Sequence, residues 1–339
     1  MSNSKLGPRA FLLYAMLGAI TCVLAAVLLT AIGDPSGVSK GDKKHGAGPF
    51  ESAPRLVLDR RPTAILLGNS RVIRGFDHHD FPEGTINLGH SAVALPGVIL
   101  LLNKAMKSPD LQKVWLGIDF GMFCMPDQHR QEFEFELNRD QDPTWASRLG
   151  AIRPSRIRAA LLDAAGLSNP ESKDRDPDGF QKPGRRPVNI KAGQALTPPL
   201  LAQHAAITGT IAQERYQERL NMLTAALQKL AARNVQVNLF INPSHPLYFE
   251  ALEKLEILDD YKRMQVDIEQ IVDQIGDPHV SLIDFSTRYA RTNLLPGESD
   301  SSLDSDPPFY DLVHYQPSVG KEIRNAFPVQ QDPQTLLSK

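Results

Sequence analysis

The stretch Ala64-Ile-Leu-Leu-Gly-Asn-Ser-Arg71 decides the fold. Its apolar run reads as a short buried strand, and Gly68 supplies the backbone freedom for a sharp turn after it. Ser70 then falls at the carboxyl end of a sheet, the edge where open α/β sheets build their sites. Similar runs at Thr85–Leu88, Val114–Ile118, Val235–Ile241 and Val280–Ile283 alternate with amphipathic stretches, the pattern of parallel strands joined by helices. From Gln203 to Arg233, Leu220, Leu223, Leu227 and Leu230 recur at helical spacing, with Asn234 as the stop. A second helix, from Phe249 to Ile275, leads in the same way into the strand at Val280. The expectation is an α/β fold: a three-layer, flavodoxin-like parallel sheet of about five strands.

Outward from that core, the N-terminal run Phe11 to Ile32 holds no charge, and ~20 apolar residues span a bilayer core. It reads as one transmembrane helix ahead of the α/β domain. A cleaved signal peptide is the rival, but the run exceeds the usual h-region of ~7–15 residues and no A-x-A site follows. Lipidation of Cys22 is excluded because apolar residues continue straight past it. Lys5 and Arg9 lie nearer the run than Lys40, Lys43 and Lys44 do, which points to a cytoplasmic tail and an exported domain. The expected location is therefore the inner (plasma) membrane, single-pass, with the globular domain on the periplasmic side. The layout reads as a tail at 1–10, the membrane helix at 11–32, a Gly/Lys/Ser-rich linker at 33–53, the domain at 54–330 and a tail at 331–339. Between 153 and 199 the composition turns to Arg, Lys, Asp, Pro and Gly, an excursion from the core. Its Arg185 and Arg186 suit an anionic polymer or lipid head groups, although a solvated face is the plainer reading.

The 339 residues, 42% hydrophobic and 22% charged, are enough to bury a full core. A net charge of −2 gives no reason to expect nucleic acid as a partner. With two cysteines, Cys22 and Cys124, neither a disulfide framework nor a thiolate metal site is expected. No cofactor is expected either, since Gly-Asn-Ser-Arg lacks the ending a phosphate-binding loop requires. His78, His79 and Asp80 read as a polar turn rather than a metal site, because adjacent residues on an extended chain point apart.

A serine hydroxyl needs a histidine base, itself oriented by an acceptor. Near the C-terminus, Tyr310-Asp-Leu-Val-His-Tyr315 offers Asp311 and His314 on one loop or turn. Alone, Asp-x-x-His is more often a surface or capping pair. Its position after the last strand, with a serine at the end of the first, raises it to a catalytic candidate.

Gly68-Asn-Ser-Arg71, Gly89 and Asp311-x-x-His314 resemble the first, second and fifth sequence blocks of the SGNH/GDSL hydrolase superfamily, over roughly residues 60 to 325. The resemblance implies Ser70 as nucleophile, the Ser70 and Gly89 N–H groups in an oxyanion hole, and Asp311 and His314 completing a triad. Two positions depart from the pattern. Asn69 stands where that family has Asp, and Gly117-Ile-Asp-Phe120 places Asp119 where it has an oxyanion-stabilising Asn. A carboxylate there would repel an oxyanion unless protonated or turned toward another partner. Asn242, in Asn242-Pro-Ser-His245, is the substitute donor, or else a turn residue, and His245 reads as a cap. Arg71 and Asp119 are further candidates for the site.

The run of motifs also resembles membrane-anchored SGNH-like proteins of bacterial envelope and exopolysaccharide systems, including relatives of alginate-type O-acetyltransferases. That likeness implies a serine esterase or O-acetyltransferase acting on an envelope glycan or exopolysaccharide, with a membrane-bound acyltransferase as candidate acyl donor. Asp127-Gln-His129 is a second acid–histidine pair, ranked below Asp311 and His314. The alternative is a catalytically inactive, SGNH-like assembly or glycan-binding protein of the envelope.

Overall fold

The computed structural model describes residues 8–33, 61–90, 93–125, 180, 210–288 and 308–328. Five parallel strands form one sheet in the order β2-β1-β3-β4-β5: β1 Ala64–Leu67, β2 Thr85–Asn87, β3 Lys113–Ile118, β4 Gln236–Ile241 and β5 Val280–Asp284. This is the flavodoxin-like order, whose topological switch lies between β1 and β3. Beyond the N-terminal α1 (Pro8–Gly33), the helices are α2 (Ser70–Gly75), α3 (Leu95–Ala105), α4 (Phe120–Cys124), α5 (Thr210–Ala231), α6 (Pro246–Lys254), α7 (Leu258–Ile275) and α8 (Pro317–Ala326).

Strand alternation sorts the core into two layers. Ile65 and Leu67 face a cluster built with α3, α5 and α7, whereas Ala64 and Leu66 face Phe76, Trp115, Phe240 and the α8 residues Val319 and Ile323. Both faces of the sheet are therefore covered, which is why β1 and β4 are buried at every position. Phe180, within the expected excursion, belongs to the second layer: it is 2% exposed and its ring centroid lies 5.9 Å from that of Phe81. At least this residue of the 153–199 stretch is core. Its apolar side chain in a Pro- and charge-rich context hid that from composition.

The second expected helix, Phe249 to Ile275, is two helices. α6 ends with Glu256 at φ +58° and Ile257 N–H returning to Leu252 O at 3.0 Å, a Schellman closure that seats two buried apolar residues against each other. α5 ends identically, with Asn234 at φ +54° and Val235 N–H on Leu230 O at 3.1 Å. Asparagine advertises such an end and glutamate does not.

α1 is one helix of 26 residues, with Leu12, Leu13, Tyr14, Met16, Leu17, Ile20 and Leu24 exposed. Among the described residues, no helix is long and apolar enough to cross a membrane. The expectation of a membrane helix at 11–32 therefore rests on the sequence alone. The helix takes in residues 8–10 of the expected tail and Gly33 of the expected linker, whereas residues 1–7, 34–53 and 331–339, Arg185, Arg186 and the Asp127/His129 pair lie outside the described residues.

What positions the site is the contact between α2 and α8. A Cβ at Gly320 would overlap the Gly75 carbonyl, and one at Gly75 would overlap the Tyr315 ring. Only glycine lets the two backbones meet. Gly320→Ala should therefore destabilise the fold by about 1–3 kcal/mol, the usual cost of overpacking. Thermal unfolding would show it as a lowered Tm, and an unchanged Tm would contradict this packing.

Candidate active site

The serine sits where β1 hands over to α2. Gly68 takes φ +149°, and a Cβ there would overlap Val72 and lie 2.9 Å from Gly117 O, so the turn requires glycine. Asn69 is the N-cap, its Oδ1 accepting from Arg71 N–H at 3.0 Å. Ser70 is thereby the first residue of α2, partly exposed at the sheet's carboxyl edge.

The histidine arrives from the other end of the chain. Residues 308–316 fold back on themselves through a Phe309–Tyr315 bridge, Tyr310 N–H on His314 O at 2.8 Å and Gln316 N–H on Pro308 O at 2.9 Å. Within this loop Asp311 Oδ1 accepts from the Val313 and His314 N–H groups, each at 2.8 Å, and Oδ2 lies 2.7 Å from His314 Nδ1. His314 Nε2 lies 2.7 Å from Ser70 Oγ. Because a carboxylate only accepts, the proton belongs on Nδ1, which leaves Nε2 to accept from the serine hydroxyl. Burial pushes Asp311 up, but the bonds from the His314 ring and the two N–H groups outweigh it and hold the carboxyl at about 2.

Asp119 is turned away from the serine. It caps α4 by accepting from Met122 N–H at 3.2 Å, accepts from the Asn69 amide, and stands 3.5 Å from Arg71 Nε. The departures at 69 and 119 thus explain one another. An amide at 69 can accept from Arg71 N–H and donate to Asp119, whereas an aspartate at 69 would face a second carboxylate. Arg71 is 5% exposed, and its Nη1 donates to Ser244 Oγ at 2.8 Å and Pro243 O at 3.3 Å. Burial pushes its pKa down, but Asp119 together with Tyr248, Tyr261 and Tyr315 more than restores it. It does not reach toward Ser70 Oγ as a substrate-binding cation would.

Two expected oxyanion donors are committed elsewhere. Asn242 gives Nδ2 to Ile118 O at 3.0 Å while its Oδ1 accepts from Tyr315 Oη at 2.9 Å, so its amide braces the fold. Gly89 N–H donates to Asn87 Oδ1 at 2.9 Å, and Asn87 Nδ2 donates to Val72 O at 3.2 Å. Among the described residues no hydrogen bond engages the Ser70 N–H. His245 caps α6, with Nδ1 accepting from Leu247 N–H at 3.2 Å. Nothing in the sequence marks Ser244 or Tyr315, whose partners Arg71 and Asn242 come from distant segments, and Asn87 joins its neighbour Gly89 to the distant Val72 O. Among the described residues, no group of acidic, histidine or cysteine side chains is arranged to hold a metal ion.

No family model and no curated protein matches the chain. A solved structure from Streptococcus pneumonia, named for platelet activating factor, aligns with 82% of this chain and 91% of its own at 10% identity and a TM-score of 0.37. A likeness that slight carries no argument.

The depressed Asp311 pKa has a consequence for stability. A carboxyl ionising lower in the folded than in the unfolded chain stabilises the fold above the unfolded value near 3.8 and stops doing so as pH falls toward 2. Asp311→Asn should cost up to about 2 kcal/mol at pH 7. Urea unfolding at pH 7 and at pH 2 would reveal a deficit that closes on acidification, and one of equal size at both pH values would count against the ionised role.

Proposed function

We propose that this protein is a membrane-anchored serine esterase or O-acyltransferase of SGNH type, working on an envelope glycan or exopolysaccharide. The observation that carries the reading is the unbroken hydrogen-bonded series from Ser70 Oγ through both His314 nitrogens to Asp311. In this mechanism Ser70 Oγ attacks an acyl carbonyl while His314 Nε2 takes its proton. Asp311 stays ionised and stabilises the imidazolium. The Ser70 N–H, at the start of α2, receives the developing oxyanion. Collapse expels the leaving alcohol, to which His314 returns the proton. Water or a sugar hydroxyl then attacks the acyl-serine, giving its own proton to Nε2; the acyl–Oγ bond breaks, and Ser70 Oγ takes that proton back from Nε2. Hydrolysis and transfer differ only in that acceptor.

The apolar helix at the N-terminus is the anchor in this reading, and it sets the domain at the periplasmic face, near polymers leaving the membrane. A membrane-bound acyltransferase would suit as donor, because acyl groups must cross from the cytoplasm.

A second reading has an observation of its own. With Gly89 N–H and Asn242 engaged internally, only one of the implied oxyanion donors is at hand, as in a fold retained for binding. Labelling separates the two: an activated fluorophosphonate should modify Ser70 in an esterase and leave it untouched in a binding protein.

With the detergent-solubilised chain and an aryl acetate, Ser70→Ala and His314→Ala should each lower kcat/KM on the order of 10³-fold or more. A rate unaffected by Ser70→Ala would remove the serine from the mechanism, and a rate gain on adding glycan would favour transfer. Deleting residues 1–33 should move the protein from the membrane to the soluble fraction. Retention of that truncated chain in washed membranes would defeat the anchor.

A further inference from the structure

We infer that Arg71, with Asp119 as its counter-ion, is a positioning residue that holds the turn of Ser70 against the segment bracing the His314 loop. Arg71 follows the serine directly, yet its side chain runs inward and crosses three strand ends. Nε pairs with Asp119 at the end of β3, and Nη1 reaches Ser244 Oγ at 2.8 Å and Pro243 O at 3.3 Å beyond β4. The guanidinium carbon also lies 5.6 Å from the Tyr248 ring centroid on α6. Arginine suits this post because its rigid planar fork serves acceptors in several directions, where a lysine ammonium is a single point.

The segment that Arg71 grips in turn grips the loop of the base. His245 N–H donates to Leu312 O at 3.0 Å, between Asp311 and His314 in sequence, and Asn242 Oδ1 accepts from Tyr315 Oη at 2.9 Å, immediately after His314. A short path therefore runs from Ser70 through Arg71, Ser244, His245 and Leu312 to the histidine, each step a hydrogen bond or a stretch of adjacent residues. The Ser70–His314 distance of 2.7 Å is the gap that this path spans. A buried ion pair serving stability alone would alter how much protein folds. One lying on this path also alters how well the folded protein turns over.

The kinetic consequence rests on the acyl-transfer reading, so the test has two readouts on the full chain in detergent. The variants are Arg71→Met/Asp119→Asn, which removes both charges together, and Ser244→Ala, which removes one acceptor. With an aryl acetate, kcat should fall about 10–100-fold in the first and about 3–10-fold in the second, with KM within about threefold, as expected of misplaced rather than missing groups. The second readout is the ring 15N resonances of His314, which Ser70→Ala should shift in the wild-type background and shift much less in either variant background. Variants with native circular dichroism, kcat within about twofold and an undiminished Ser70→Ala effect would overturn the assignment. Should the charge-removed double variant not fold, Ser244→Ala decides alone. A wild-type chain that hydrolyses no ester but shows the Ser70-dependent shift would sink the esterase reading, and the positioning role would then stand or fall on the resonances.

Discussion

Everything at the carboxyl edge of the sheet depends on two backbones touching at Gly75 and Gly320. The hydroxyl of Ser70 and the ring of His314 are 244 positions apart in sequence, so the sheet brings them to one edge and local contacts must set the final distance. α2 and α8 supply them by approaching without side chains between. The Tyr315 ring fills the space beside Gly75, and its hydroxyl fastens to Asn242. A side chain of even one carbon would prise the helices apart and draw the histidine from the serine.

Around that contact the carboxylates of the described site each have partners. Asp311 has two backbone N–H groups and an imidazole, and Asp119 has a guanidinium, an amide and the start of α4. Both carboxylates are turned to these partners. Asn242 and the Gly89 N–H are likewise drawn into the framework, and the first turn of α2 adds its positive end beside Ser70.

Much of this was legible before any coordinates. The five apolar runs read as strands because they are short, bounded by turn signals and set between amphipathic stretches. Asp311 and His314 could be paired because they are close in sequence, and Ser70 because a strand end marks it. The side-chain partners of Asn242, Asn69 and Arg71 could not be read, since each is contributed by a segment brought near only by folding. The break at Glu256 was illegible for a different reason. The backbone there takes a conformation that glutamate tolerates but does not announce, and the buried contact of Ile257 with Leu252, rather than any local propensity, stabilises it.

The amide of Asn69 faces the carboxylate of Asp119. A change to aspartate at 69 sets two anions together, and a change to asparagine at 119 strands a buried cation. Neither position can be read in isolation, because the side chain tolerated at one is set by the side chain that stands at the other.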